Sequence, residues 1–266
     1  MNLYKFLILL LSIFFSINLN QWDNISSDLS PSHLIEIDGD LYGSSQGGIF
    51  IYDLENKSFI LNNHNHCLEV SDIDLDIHSN LWVLCENGTL HKKDSNLIVN
   101  HLDIDEAIDF TIHGESIYVI YKNNNVYGIA DFSFDNHNLI YNDYYESFTQ
   151  NSTEVFKSFV VLNDFVYLLT NMTLYYANIN SNLKIANNWS VVSNIDIPED
   201  IVSFNDKLIL IHPNSLQILD VSSEFEITDI DSISVEWGEY ISKSINETTL
   251  SIIGSNKVIV FNSDFN

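Results

Sequence analysis

A hairpin that recurs along the whole chain constrains its fold more than any other feature. Gly39 to Glu55 reads GDLYGSSQGGIFIYDLE: an apolar start at Leu41 and Tyr42, a Gly/Ser turn, and a second apolar run from Ile49 to Tyr52 that stops at Asp53. Two apolar runs joined by such a turn specify a β-hairpin, and Gly47 and Gly48 suit the turn because positive φ costs glycine little. The template returns as SNLWVLCENGTLHKKD from Ser79, ESIYVIYKNNNVYGIAD from Glu115, DFVYLLTNMTLYYAN from Asp164, DKLILIHPNSLQILD from Asp206 and TTLSIIGSNKVIVFN from Thr248. The first apolar residues of the six copies are Leu41, Leu81, Ile117, Val166, Leu208 and Leu250. Their spacing of roughly forty residues is that of an array of small β-sheets.

Another short apolar strand precedes each hairpin: Leu34 to Ile37, Ile73 to Ile77, Phe110 to Ile112, Phe159 to Leu162, Ile201 to Phe204 and Ile241 to Ile245. A looser strand follows each of the first five, such as Leu97 to Leu102 or Trp189 to Ser193. Four short strands per repeat is the composition of a propeller blade. The expectation is therefore an all-β chain, a β-propeller of six four-stranded blades with seven as the alternative, each running inner strand, hairpin, outer strand. The sixth copy ends after its third strand. Gln21 to Tyr42 has the same order of outer strand, linker, inner strand and hairpin start as Asn188 to Ile209. Gln21 to Ser27 is thus expected to complete the last blade and close the ring, which removes exposed sheet edges.

Met1 to Asn20 carries one lysine, Lys5, then the apolar run Phe6 to Phe15 and smaller polar residues. This is the pattern of a secretory leader, and the run is short for a membrane span. Residues 21–266 then form a single propeller domain, exported to the periplasm, the cell surface or the medium. In such an oxidising compartment the two cysteines, Cys67 and Cys85, could pair, or stay as buried thiols that act as small hydrophobes.

Thirty-seven acids face ten lysines and no arginine, for a net charge of −27. Nucleic acid and anionic membrane are held by basic patches, so neither is an expected partner. Without arginine there is no planar fork for a carboxylated sugar, which sets aside sialidase-like chemistry. The chain also lacks the G-x-S-x-G, HExxH, P-loop and GxGxxG signatures.

Candidate site residues are few. Asp72, Asp74 and Asp76 alternate with Ile73, Leu75 and Ile77 on an inner strand, so all three carboxylates should share one face near the central channel. Asp103 and Asp105, followed by Glu106 and Asp109, enter the third blade in the same way. Hard oxygen ligands at this density could hold Ca²⁺; the alternative is a solvated acidic rim. His64, His66 and Cys67 form a soft-ligand cluster that also reads as a polar inter-blade loop. Tyr141, Tyr144 and Tyr145 are the candidate partner surface, with strand packing as the alternative. Tyr42, Trp82, Tyr118 and Tyr167 each follow a hairpin's first apolar residue and are expected in the core.

GDLYGSSQGGIFIYD and SNLWVLCENGTLHKKD resemble the repeat of two-component-regulator propellers, which runs roughly G-x-L-W-[VI]-G-T, then G-[LI], then an aromatic residue and Asp. With the leader and Trp22, the chain is similar to the N-terminal propeller of the PorZ-type surface components of type IX secretion. That resemblance implies an extracytoplasmic sensing or binding module and supplies no catalytic residue. The functional expectation is a non-enzymatic binding or scaffold propeller, monomeric, whose partner is a cell-envelope protein or surface glycan. The alternative is a calcium-dependent hydrolase or lactonase that uses channel carboxylates.

Overall fold

The computed structural model describes residues 33–45, 48–53, 55–62, 69–93, 98–99, 104–135, 139–146, 148, 153–221, 227–234, 237, 240–245, 249–254 and 258–262. Met1 to Asn20, Gln21 to Ser27, Gly47, His64, His66, Cys67 and Asp103 lie outside them.

Among the described residues, six antiparallel meanders follow one another. The first contains β1 (Leu34–Ile37), β2 (Asp40–Ser45), β3 (Gly48–Asp53) and β4 (Ser58–Asn62), and the second β5 (Val70–Leu75), β6 (Leu81–Cys85), β7 (Leu90–Lys92) and β8 (Ile98–Val99). The third comprises β9 (Glu106–His113), β10 (Ser116–Asn123), β11 (Val126–Phe134) and β12 (Leu139–Glu146). The fourth has β13 (Phe156–Leu162), β14 (Phe165–Thr170), β15 (Leu174–Asn178) and β16 (Ser190–Val191). The fifth has β17 (Asp200–Phe204), β18 (Lys207–His212), β19 (Ser215–Val221) and β20 (Ile227–Ser234). The sixth has β21 (Tyr240–Ile245), β22 (Thr249–Gly254) and β23 (Val258–Asn262). The chain is an all-β propeller. The expectation of six four-stranded blades is corrected: five sheets have four strands and the last has three among the described residues. The strand expected to complete it falls outside them.

Turn chemistry sets the registers. Two-residue turns join β1 to β2 through Asp38 and Gly39, β10 to β11 through Asn124 and Asn125, and β17 to β18 through Asn205 and Asp206. Both central residues have positive φ in each turn, from 49° to 89°, as the twist of a tight hairpin requires. Asn and Asp supply this conformation in a chain that has nine glycines.

The core lies between the sheets rather than within any one of them. Along β6, Leu81, Val83 and Cys85 pack with Ile35 and Ile49 of the first sheet, while Trp82 and Leu84 pack with Ile117, Val119 and Tyr121 of the third. The same alternation continues in β10, where Tyr118 and Ile120 turn to the fourth sheet, and in β14, where Tyr167 and Leu169 turn to the fifth. Leu208 and Leu210 of β18 face back to the fourth sheet, and Ile209 and Ile211 face on to the sixth. The aromatics Trp82, Tyr118 and Tyr167 are buried between blades, as the repeat implies. Cys85 is buried and is not a free thiol.

Outer strands are far less buried, with Ile140 of β12 at 55% exposure. Truncating Leu210, which is fully buried between two blades, should therefore cost about 2–5 kcal/mol of unfolding free energy. Ile140→Ala should stay within about 0.5 kcal/mol of the parent. Equilibrium denaturation of the two variants measures both values.

Candidate functional site: the channel mouth

The repeat places one polar residue at the same point of every inner strand. Asp72 lies opposite Leu84, Asp109 opposite Ile120, Ser158 opposite Leu169, Asp200 opposite Ile211 and Ser242 opposite Ile253. His33, just before β1, occupies this place in the first sheet: its carbonyl accepts from Ser44 N at 3.0 Å, and its own N–H donates to Ser44 Oγ at 3.0 Å. In four sheets a register shift comes immediately before the polar residue. Such a bulge re-aims the side chain that follows it.

His33, Asp72, Asp74, Asp109, Asp200 and Lys243 line a cavity of about 640 Å³ bounded by the inner strands. Most of these groups reach to a neighbouring blade. Phe110 N donates to Asp72 Oδ2 at 3.4 Å, and Phe159 N donates to Asp109 Oδ2 at 3.3 Å. Asp74 accepts from the Ile112 backbone. Lys243 Nζ donates to Asp200 Oδ1 and to the Ile201 carbonyl, both at 2.7 Å, and to Ser158 Oγ at 3.3 Å. His33 Nε2 lies 3.4 Å from Asp72 Oδ1, and its Nδ1 lies 3.3 Å from Ser44 Oγ.

Burial dominates the electrostatics. Loss of water pushes the Asp72 carboxyl up to about 7, against a hydrogen bond with Asp109 that pulls it down. Asp74 is pushed up to about 7 for the same reason, with the nearby Asp109 adding to the effect. Asp109 rises well above the usual range through burial and the charge of Asp72, so this hydrogen-bonded pair holds a proton near neutrality. Burial lowers the pKa of His33 and keeps the ring neutral. Lys243 is drawn down by burial, but Asp200 and Asp109 outweigh this and hold it above its ordinary value as a cation.

Of the acids proposed as calcium ligands, Asp72 and Asp74 share the channel. Asp76 lines the same cavity, but β5 ends at Leu75 and the Asp76 carboxylate is spent on the turn to β6. Its Oδ1 accepts from His78 N at 2.9 Å, Asn80 N at 2.9 Å and Asn80 Nδ2 at 2.8 Å, and its Oδ2 from Trp82 Nε1 at 3.0 Å. Burial alone would raise its pKa, but these bonds lower it overall. Asp105 sits in an exposed loop and caps the β10–β11 turn by accepting from Asn124 N at 2.6 Å. Among the described residues, no three His, Cys, Asp or Glu side chains converge as a metal site. The tyrosines also separate: Tyr141 and Tyr144 are about half exposed, whereas Tyr145 turns inward and donates to Asp131 Oδ2 at 2.9 Å.

His33, Asp200 and Lys243 were missed in the sequence. Lys243 had a signal: its counterparts in the repeat are Ile73, Phe110, Phe159 and Ile201, so it is a charge in an apolar column.

No family model matches the sequence, and no curated protein matches it. Solved structures do. Virginiamycin B lyase from Staphylococcus aureus superposes with a TM-score of 0.58 at 14% identity, over 90% of this chain and 83% of that one. PorZ, an essential bacterial surface component of the type IX secretion system of Porphyromonas gingivalis, gives 0.55 at 11% identity. That match covers 88% of this chain and 37% of PorZ. The AfRom2 CNH domain gives 0.54 at 12% identity, over 88% and 82%. The fold is a PorZ-like propeller. At this identity the likeness is one of fold, shared by an enzyme and a secretion component alike.

The raised carboxyls make a specific pH dependence. A carboxyl near 3.9 in the unfolded chain and near 7 in the folded one favours the folded state while protonated, so stability falls as pH rises from about 4 to about 7. His33 acts in the opposite sense, because its lowered pKa favours folding as pH rises through about 6.5. It is one group against Asp72, Asp74 and Asp109. The melting temperature should therefore be higher near pH 5 than near pH 8, and Asp72→Asn should flatten the difference, as a thermal scan across pH would record.

Proposed function

We propose that this chain is an exported, non-enzymatic propeller that acts as a binding or scaffold module at a bacterial surface or in the periplasm. One observation carries the reading: the channel acids are already used to tie one blade to the next. Asp72 and Asp109 accept backbone N–H groups of the following inner strand, and Asp200 holds Lys243. A catalytic carboxylate needs a free face towards substrate, whereas these serve the ring. The leader from Met1 to Asn20 and the absence of arginine support export and a partner that is neither nucleic acid nor anionic lipid. The likeness to PorZ supports a place in a surface complex, with type IX secretion as the specific case.

A second reading rests on Asp74. Its carboxyl, raised to about 7 and lining an open cavity, has the proton affinity that a general acid or base needs. A lactonase or related hydrolase would use it with Asp72, with or without bound calcium. Incubating residues 21–266 with a panel of lactones and aryl esters, in calcium and in chelator, separates the two. The binding reading expects no turnover above that of Asp74→Asn in either buffer. A rate that needs the Asp74 carboxyl would replace the module with an enzyme.

A further inference from the structure

The third blade carries a second cavity, of about 300 Å³, on its outer half, and none of the residues that line it lines the channel. Its walls are Tyr121, Tyr141, Tyr144, Glu146, Asn123 and Ile104, with Ala130 beneath them. A register shift between Asp131 and Phe132 builds it. Phe132 lies opposite Tyr141, Ala130 opposite Tyr144 and Gly128 opposite Glu146. Residues 128, 130 and 132 share a face, so Tyr141, Tyr144 and Glu146 project together. Without the bulge, an interval of three residues would send the two tyrosines to opposite faces.

The floor is kept low for a third ring. Tyr121 crosses Gly128, where a Cβ would come within 2.5 Å of the ring, and its hydroxyl donates to Glu146 Oε1 at 2.6 Å. That bond fixes ring and carboxylate relative to each other. Tyr141 and Tyr144, at 48% and 47% exposure, present their rings to solvent. Asp143 stands beside them in β12, and no cation lines the cavity. A cation already stands over one ring: Lys184 Nζ lies 5.0 Å from the Tyr144 centroid while it pairs with Asp143 at 2.6 Å.

We propose that this cavity binds a methylated ammonium group. The negative faces of three tyrosines and one carboxylate attract a cation, and aromatic walls favour one whose charge is spread over methyl groups. A compact ammonium or metal ion would have to shed tightly held water in exchange for apolar contacts, whereas tetramethylammonium sheds little. The site stands independently of whatever the channel does.

Titrating the mature protein with tetramethylammonium and choline, with sodium chloride holding ionic strength constant, tests it by NMR or calorimetry. Both should bind saturably, and 3,3-dimethyl-1-butanol, the uncharged isostere of choline, should bind about tenfold more weakly. Tyr144→Leu and Tyr141→Leu should each weaken tetramethylammonium by about threefold or more, and Glu146→Gln should do likewise. Equal affinity for the uncharged isostere would overturn the proposal without reference to any variant, and so would affinity that survives both tyrosine changes in folded protein. Co-sedimentation with phosphatidylcholine vesicles then tells a lipid headgroup from a soluble ligand: vesicle binding competed by choline assigns the headgroup, and choline binding without vesicle binding assigns the soluble one.

Discussion

Blades two to five cannot bury their second strands unaided. In β6, every residue from Leu81 to Cys85 is buried, with odd positions against one neighbour and even positions against the other. Strands β10, β14 and β18 repeat the pattern. A single meander would leave one complete apolar face in water, at about 25 cal/mol per Å². Each sheet from the second to the fifth therefore needs a neighbour on both faces, which stacks the meanders face to face in chain order. The outer strands carry less of this demand.

The channel acids follow from the same geometry. Neighbouring inner strands do not pair with each other in a common ladder, so the groups that face one another across the gap need side chains to complete their bonding. Asp is short enough to stay at the wall and offers two acceptors to the next strand. Several buried carboxylates would repel strongly if all were ionised. The repulsion is relieved by a proton held between Asp72 and Asp109 and by Lys243, whose three donors meet a carboxylate, a carbonyl and a hydroxyl. A lysine in the apolar column is thus the counter-charge to an acidic ring.

The fold was largely legible in the sequence because its determinants are local and repeated. The apolar run Leu34 to Ile37 coincides with β1, and Asn205 and Asp206 mark their hairpin by residue type alone. Boundaries were less legible where a side chain competes with the ladder. Ile73 to Ile77 reads as one strand, yet Asp76 takes the N–H groups of His78 and Asn80 and ends the strand at Leu75. The site depended on distance in sequence. The partners of Lys243 are forty-two, forty-three and eighty-five residues away, and no local pattern can announce them. The tyrosine run stands out in the sequence, but strict alternation would unite Tyr141 with Tyr145, and only the bulge unites it with Tyr144 instead.

These constraints divide the surface by how freely it can change. A channel residue that ties two inner strands answers to both of the blades it joins, and so does an inter-blade apolar residue. An outer strand answers to one neighbour in its own sheet and to solvent. Blade three exploits this freedom: its strands of eight, eight, nine and eight residues, against six or fewer in blade one, carry β12 outward with both tyrosines on one face. Solved structures that share this fold at 11–14% identity include virginiamycin B lyase and PorZ. Such divergence is expected when packing fixes the pattern of apolar positions but leaves the mouths and edges of the blades free to acquire their own chemistry.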